Sequence, residues 1–321
     1  MLAEIQVKRD SPSIDVLLAT YNGARYLRPQ IDSILGQEGV SFRILVRDDG
    51  SLDETPAVIE HYRRARPDRF IRVSGSDHLG AAGNFARLLR EAEAPYAALS
   101  DQDDVWAPHK LRTLLGAMRE LESRHGADTP LLVHSDLTVV DETLREQHAS
   151  FWRYSGFDPR GTSLPRLLIK NTVTGCASLV NRALIELALP IPQAALVHDY
   201  WLALVAAAAG HLGIVQEPLL AYRQHARNAI GARPYHLRSL LERLAGGFAQ
   251  WDMGALRRQA AALSERCRPS TAPAYRTLIE DFVNLPGRSW IGRRLILLRH
   301  GILMPGLARN LALLFWVRLD R

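Results

Sequence analysis

Between residues 14 and 105 the chain swaps repeatedly between two periodicities, and that alternation limits the folds open to it. Ile14-Asp15-Val16-Leu17-Leu18-Ala19-Thr20 reads as a buried strand, broken by Tyr21-Asn22-Gly23. Tyr26, Ile31, Ile34 and Leu35 then recur at helical spacing. Phe42-Arg43-Ile44-Leu45-Val46 is a second strand run, ended by Asp48-Asp49-Gly50-Ser51, and a helix follows with Thr55 near its start and Val58, Ile59 and Tyr62 on one face. Phe70-Ile71-Arg72-Val73 gives a third, short strand. The spacing predicts a helix from about Asn84 to Glu93 and a fourth strand at Tyr96–Ser100. Strand–helix alternation of this kind builds a parallel sheet covered by helices on both faces.

Further on, Leu111 to Arg124 is patterned as an amphipathic helix, and His198 to Ala209 as a strongly apolar one. Strands are expected at Leu131–Asp136, Thr174–Val180 and Leu212–Val215, with one more edge element around Leu219, Ala221 and Tyr222. After about Gly231 arginine becomes frequent and strand signals stop, which divides the chain into residues 1–231 and a helical, basic region 232–321. Arg288 to Arg321 carries Trp290, Ile291, Leu295, Leu298, Phe315 and Trp316 among Arg293, Arg294, Arg299, Arg309 and Arg318. A spanning helix needs roughly 20 largely uncharged residues, and Arg299, His300, Pro305 and Arg309 interrupt this run. Two uses stand side by side: a basic amphipathic surface on an anionic membrane, or a helical cap packed on the first domain.

Charge and cysteine content narrow the class. The formal net charge of +6 favours anionic partners, but there is no zinc-finger spacing and no aromatic–basic RNA-binding signature, so nucleic acid is not expected as a partner. Cys176 and Cys267 are too few for a disulfide framework, which fits a reducing, cytoplasmic setting. Residues 1–13 have no apolar core of signal-peptide type.

Chemistry concentrates where the strands stop. Asp101-Gln102-Asp103-Asp104 follows the apolar run of the fourth strand, and its carboxylates repel one another unless a cation sits between them. In a doubly wound sheet the carboxyl ends of the strands open onto one rim, where ligands bind. Hard divalent cations such as Mg²⁺ or Mn²⁺ take oxygen ligands and commonly bridge carboxylates to phosphates. The competing reading of the acidic run is a solvated turn capping the helix that starts near Pro108. Tyr21 is placed to stack on a base or to pack in the core. Asn22-Gly23 suits an ordinary turn.

Taken together, these segments resemble the inverting family-2 nucleotide-sugar glycosyltransferases of GT-A fold, and within them the bacterial rhamnosyltransferase branch. The resemblance is carried by Leu18–Gly23, Val46–Ser51 and Leu99–Trp106, with Gly83-Asn84-Phe85, Thr174–Ala177, His198–Trp201 and Tyr222–His225, over about residues 14 to 228. It implies an α/β, Rossmann-like GT-A domain with a mostly parallel central sheet, followed by the C-terminal helical region. It also implies transfer of a sugar, L-rhamnose from dTDP-L-rhamnose or another hexose from a UDP donor, onto a polysaccharide or lipid-linked saccharide at the inner face of the cell membrane.

Residue by residue, the resemblance gives Asp49 and Tyr21 a place beside the nucleotide base, with Ala19 lending backbone contacts. Asn84, Asp101 and Gln102 fall near the nucleotide sugar, Asn84 at the start of a helix. Asp103 and His225 match metal-binding positions, Asp104 supports them, and Asp199 matches the general base. The family often has Glu before that Asp; here it is His198, a departure that can alter the pKa of Asp199. Each role has a plainer competitor. Asp199 opens an apolar helix and can simply stabilise its N-terminus, His225 can end an edge strand, Cys176 suits a small buried position, and Trp106 and Trp201 suit either a sugar pocket or the core.

Overall fold

A computed structural model describes residues 13–75, 77–158, 161–225, 252–304, 310, 313 and 314. The expected boundary between 231 and 232, and most of the tail beyond Met304, lie outside the described residues.

The first strands are buried on both faces, as near-continuous apolar runs require. β1 (Ile14–Thr20) pairs in parallel with β2 (Phe42–Asp48) and β4 (Tyr96–Ser100), and β2 pairs in parallel with β3 (Phe70–Arg72). Helices α1 (Ala24–Leu35), α2 (Thr55–Ala65) and α3 (Gly80–Glu91) make the crossovers. The register aligns Thr20 with Asp48 and Leu18 with Ser100. Loops 21–23, 49–51 and 101–104 therefore leave the sheet at one rim.

Beyond β4 the sheet becomes mixed. β5 (Val105–Trp106), α4 (Lys110–His125), β6 (Leu131–Val140), β7 (Glu146–His148), α5 (Phe151–Ser155), α6 (Leu164–Leu167), β8 (Ser178–Asn181), α7 (Arg182–Ala188), α8 (His198–Ala209) and β9 (His211–Arg223) follow in order. The strand order is β3-β2-β1-β4-β8-β6-β9-β5, with β7 on β6. β8 runs antiparallel to both β4 and β6, while β9 is parallel to β6 and antiparallel to β5.

Three local expectations change. Helix α3 starts at Gly80, not Asn84, because it is capped from a distant loop, as described below. Gly175–Ala177 forms a 3₁₀ turn before β8 instead of extending it, since Gly175 gives its N–H to a side chain and its carbonyl accepts from Ser178 Oγ at 2.7 Å. Leu219 to Tyr222 is no separate edge element. It belongs to β9, which bends past register shifts opposite Ser135 to Thr138 and is covered by β5.

Side-chain alternation sorts the core. Leu17, Leu45 and Leu99 point to one face of the sheet, and Val16, Leu18, Ile44, Val46 and Ala98 to the other. On the first face lies α8, buried nearly all round, with Trp201, Leu202, Leu204 and Val205 at most 1% exposed. Burying each such side chain stabilises the fold by about 1.5–3 kcal/mol. Its outer side is covered by the C-terminal helix α9 (Met253–Cys267), on which α10 (Pro273–Val283) packs in turn; their Leu256, Leu263, Leu278 and Phe282 share that core. Trp106 and Trp201 are core residues, and Trp201 Nε1 donates to the Ala188 carbonyl at 2.9 Å. A last helix, α11 (Trp290–Arg299), follows a 3₁₀ turn at Leu285–Gly287. Among the described residues no helix is long and apolar enough to cross a membrane.

Candidate active site

The rim loops are sewn together by side chains. Gln102 bridges the ends of β1 and β4: its Oε1 accepts from Tyr21 N at 2.8 Å, and its Nε2 donates to Tyr21 O at 2.9 Å. Gly23 makes this approach possible, since a Cβ there would lie 2.1 Å from Gln102 Oε1. Asn22 sits at φ 48°, accepts from Leu52 N at 2.8 Å and gives its own N–H to Ser51 Oγ at 2.8 Å. Asp48 accepts from Thr20 Oγ1 at 2.8 Å, Ser51 Oγ at 2.6 Å and Ser51 N at 2.9 Å. Loops 21–23 and 49–51 are thus one rigid unit. The Asn22-Gly23 pair is its seam as well as a turn.

Asp49 is buried and fully engaged. Arg47 Nη1 donates to its Oδ1 at 2.8 Å, as does Leu79 N, and Gly80 N donates to Oδ2 at 2.8 Å. These two backbone donors are orphan groups at the start of α3, so Asp49 caps that helix from 30 residues away. Asn84 lies one turn inside α3 rather than at its start; it is buried and exchanges hydrogen bonds with Arg47, accepting from Nη1 at 3.1 Å and donating to the Arg47 carbonyl at 3.2 Å. His78 Nδ1 lies 3.1 Å from Asp49 Oδ2, and the His78 ring meets the Tyr21 ring at 4.8 Å. Tyr21 is 44% exposed on the rim, so it is not a core residue. Ala19, half-buried near the end of β1, lies just behind it.

The acidic segment leads to β9. Asp103 Oδ2 lies 2.8 Å from His225 Nε2, and the His225 ring stacks on Tyr26 at 4.7 Å. Arg223 pins the backbone here, donating from Nε to Asp103 O at 2.7 Å and from Nη1 to Glu142 O at 2.6 Å. Asp104 is buried, with Oδ1 accepting from Arg223 N at 3.3 Å. Oxygens of Asp101 and Asp104 and the thiol of Cys176 lie within 4.8 Å of one another. Burial, then the charges of Asp103 and Asp199, push the Asp101 carboxyl up to about 7. Burial pushes Asp104 up as well, with Asp103 and Asp101 adding to it. Burial likewise raises the Cys176 thiol well above its usual range, so it stays protonated and is a poor nucleophile.

Lys110, the first residue of α4, reaches into this cluster. Its Nζ donates to the Cys176 carbonyl and lies 3.3 Å from the centre of the Trp106 ring. Burial lowers its pKa to about 7, against the opposing pull of Asp104 and Asp101.

Asp199 stands on the second turn-position of α8. Its Oδ2 accepts from Gly175 N at 3.0 Å; its Oδ1 accepts from Asn171 Nδ2 at 3.2 Å and Tyr200 N at 2.6 Å. Burial raises its pKa to about 6, and those three donors hold the shift down. His198 is not among the groups that set it: the ring stacks on Phe85 at 3.9 Å, and burial drops its pKa to about 3, so it is neutral. Asp199 does occupy a favourable place for a helix N-terminus. Its charge also reaches Asp101.

The structure ties Tyr21 to Gln102 and, through His78 and Arg47, to Asp49 and Asn84. It pairs Asp103 with His225 and groups Asp101 with Asp104 and Cys176, while Asp199 bonds to Asn171 and Gly175, and Ala19 packs instead on the core. Sequence reasoning missed Arg47, His78, Lys110, Asn171 and Arg223, which hold the others in place. Only Lys110 had a usable signal: a lysine on the buried side of an amphipathic helix.

The donor set fits a hard divalent cation. Asp103 Oδ2 and His225 Nε2 converge at 2.8 Å, burial and the neighbouring carboxylates push Asp101 and Asp104 up, and Asp104 Oδ2 is buried without a hydrogen-bond partner among the described residues.

Comparison with known proteins fits this geometry. Residues 15–187 match the model of the glycosyl transferase family 2 domain. The chain is 24% identical over 226 residues to the dTDP-rhamnosyl transferase RfbG of Shigella flexneri, covering 67% of this chain and 74% of that protein. It is 27% identical over 169 residues to the putative teichuronic acid biosynthesis glycosyltransferase TuaG of Bacillus subtilis, covering 53% of this chain and 62% of the other. Among solved structures, S. aureus TarS 1–349 in complex with UDP-GlcNAc superposes with a TM-score of 0.55 at 13% identity, over 84% of this chain and 70% of that one. That likeness is one of fold.

Proposed function

The chain belongs to glycosyl transferase family 2, and from that premise we propose that it transfers L-rhamnose from dTDP-L-rhamnose, with inversion, to a polysaccharide or lipid-linked saccharide at the inner face of the cell membrane. The observation that carries the enzymatic part is the Asp199 carboxylate, oriented by Gly175 and Asn171, its pKa raised to about 6 by burial, and near enough to the acidic rim for its charge to act on Asp101.

In this reading Asp199 is the base that takes the proton from the acceptor hydroxyl as it attacks the anomeric carbon. A carboxylate with a pKa near 6 is ionised at neutral pH yet basic enough to accept a proton in the transition state. Attack from the side opposite the leaving group inverts the centre, and no covalent intermediate is needed. The nucleotide lies along the rim built by Ala19, Tyr21 and Asp49, with Tyr21 offering an exposed ring for the base. Gln102 and Asn84 serve chiefly by fixing the Tyr21 loop and Arg47. Asp101 faces the diphosphate side. Asp103 and His225 would hold Mg²⁺ or Mn²⁺, which when bound stabilises negative charge on the departing diphosphate as a Lewis acid. Rhamnose as the sugar is supported by the Shigella relative; a UDP-hexose donor is the alternative outcome of the test below.

The test is a panel of dTDP-, UDP- and GDP-sugars, scored by cation-dependent thermal stabilisation and by donor turnover. Binding to the folded state raises the melting temperature. Preference for dTDP-L-rhamnose, with turnover lost in Asp199→Asn while nucleotide stabilisation persists, is the expected result. A preference for GDP-sugars would overturn the donor assignment, and full turnover by Asp199→Asn would overturn the base.

A further inference from the structure

Helix α11 has two apolar faces, and only one of them is used inside the protein. Leu297 is fully buried and Ile296 half-buried against the C-terminal helices. By contrast, Trp290, Ile291, Leu295 and Leu298 are 62%, 63%, 60% and 51% exposed. Ile291, Leu295 and Leu298, at i, i+4 and i+7, fall on one stripe of the helix, and Trp290 opens the helix beside it. Surface helices normally present polar residues there, and a contiguous exposed apolar stripe marks an interaction surface. Arg294, between Trp290 and the stripe, folds its guanidinium over the Trp290 ring at 3.4 Å.

A second observation concerns charge. Arg257 and Arg293 spend their donors on backbone carbonyls: Arg257 Nε on Val283 O at 3.0 Å, and Arg293 on Arg288 O and Pro286 O at 3.0 Å each. Among the described residues neither of these two forms an ion pair. Arg258 and Arg293 lie close enough to Arg257 to repel it, and Arg293 repels Arg294. A recess of about 350 Å³ opens between Arg257 and Arg288 beside the start of the helix. Arg299 is exposed at the other end. Arg294 and Arg299 flank the apolar stripe on its two sides, and at the start of the helix Arg257, Arg258, Arg288 and Arg293 outnumber their acidic partners, Asp252 and Asp281.

We propose that this face of α11 docks on an anionic bilayer, with Trp290, Ile291, Leu295 and Leu298 entering the interface and the flanking arginines lying against lipid phosphates. Aromatic and branched side chains beside arginines are the composition that interfacial helices use. Long arginine stems let the charge stay at headgroup level while their methylenes cover apolar surface. A second copy of the chain fits less well: a two-fold contact through this stripe would set the same arginine cluster against itself. The surface deepens the membrane-facing acceptor proposed above and rests on it only for its setting, because vesicle binding and donor turnover are read separately and each can fail alone.

The experiment is co-sedimentation of the full chain with vesicles of phosphatidylcholine alone or mixed with phosphatidylglycerol. The expected result is binding to the mixed vesicles only, weakened by salt. In Ile291→Ser/Leu298→Ser the partition coefficient should fall at least roughly tenfold, since two exposed apolar side chains lose their buried area. Arg294→Gln/Arg299→Gln should weaken binding at low salt and flatten its salt dependence. Both pairs are exposed or at the surface, so unchanged melting temperature and nucleotide binding confirm that they fold. Equal binding to uncharged vesicles, unchanged partitioning in either variant, or a wild-type dimer that dissociates in Ile291→Ser/Leu298→Ser without any vesicle binding would each overturn the proposal.

Discussion

Asn171→Ala should move the acid limb of the pH–rate profile without lowering its plateau. Asn171 Nδ2 donates to Asp199 Oδ1 at 3.2 Å and so favours the ionised carboxylate. Removing that donor leaves the protonated form relatively more stable, and the pKa rises. A hydrogen bond to a charged group is worth about 1.5–3 kcal/mol at full strength. This one is long, and the carboxylate is half-buried, so about 1 kcal/mol is a fair share; at 1.36 kcal/mol per unit this is a rise of roughly 0.7 unit. Asp199 acts as a base only when ionised, so kcat/KM should fall below a midpoint near the value of about 6 set by burial in the parent, and near roughly 6.7 in the variant. The assay is kcat/KM against pH from donor and acceptor at saturating cation, with melting temperature as a check that the 171–175 loop keeps its shape. A limb that stays put, or moves down, would show that Asn171 does not support the charge of Asp199. A parent limb below pH 5 would show that Asp199 is not the titrating base.

Lys110→Met removes the buried amine that donates to the Cys176 carbonyl and leaves that acceptor unpaired; urea unfolding should show a loss of about 1–3 kcal/mol, and no loss would mean that the cluster does not depend on it. Gly23→Ala and Gln102→Ala should each raise KM for the donor by breaking the same bridge to Tyr21, so the double variant should be no worse than the more damaged single one; additive effects in that cycle would disprove a shared cause. Asp103→Ala should keep the fold but lose the extra thermal stabilisation that Mn²⁺ gives with nucleotide, and retention of that effect would remove Asp103 from the proposed metal site.

The local pattern was enough for β1, β2, β4, α8 and the rim on which their loops gather. Apolar continuity is a property of neighbouring residues, and it marks these elements as buried on all sides whatever lies beyond. The same reasoning placed Asp101, Asp103 and Asp199 at element ends, where carboxylates can face a ligand. It mistook the start of α3, because the cap that starts this helix is the Asp49 carboxylate, 30 residues away. It had no means of finding Asn171 and Arg223, or of pairing Lys110 with the Cys176 carbonyl 66 residues on. Nor could it decide whether the C-terminal helices cover the core or face outward; α9 packs on α8 and α10 on α9, while α11 keeps one apolar face exposed. The physical reason is one of range. Hydrophobic burial leaves a periodic trace along the chain, but a buried polar group takes whichever donor or acceptor the folded chain brings near, and only the tertiary structure selects it.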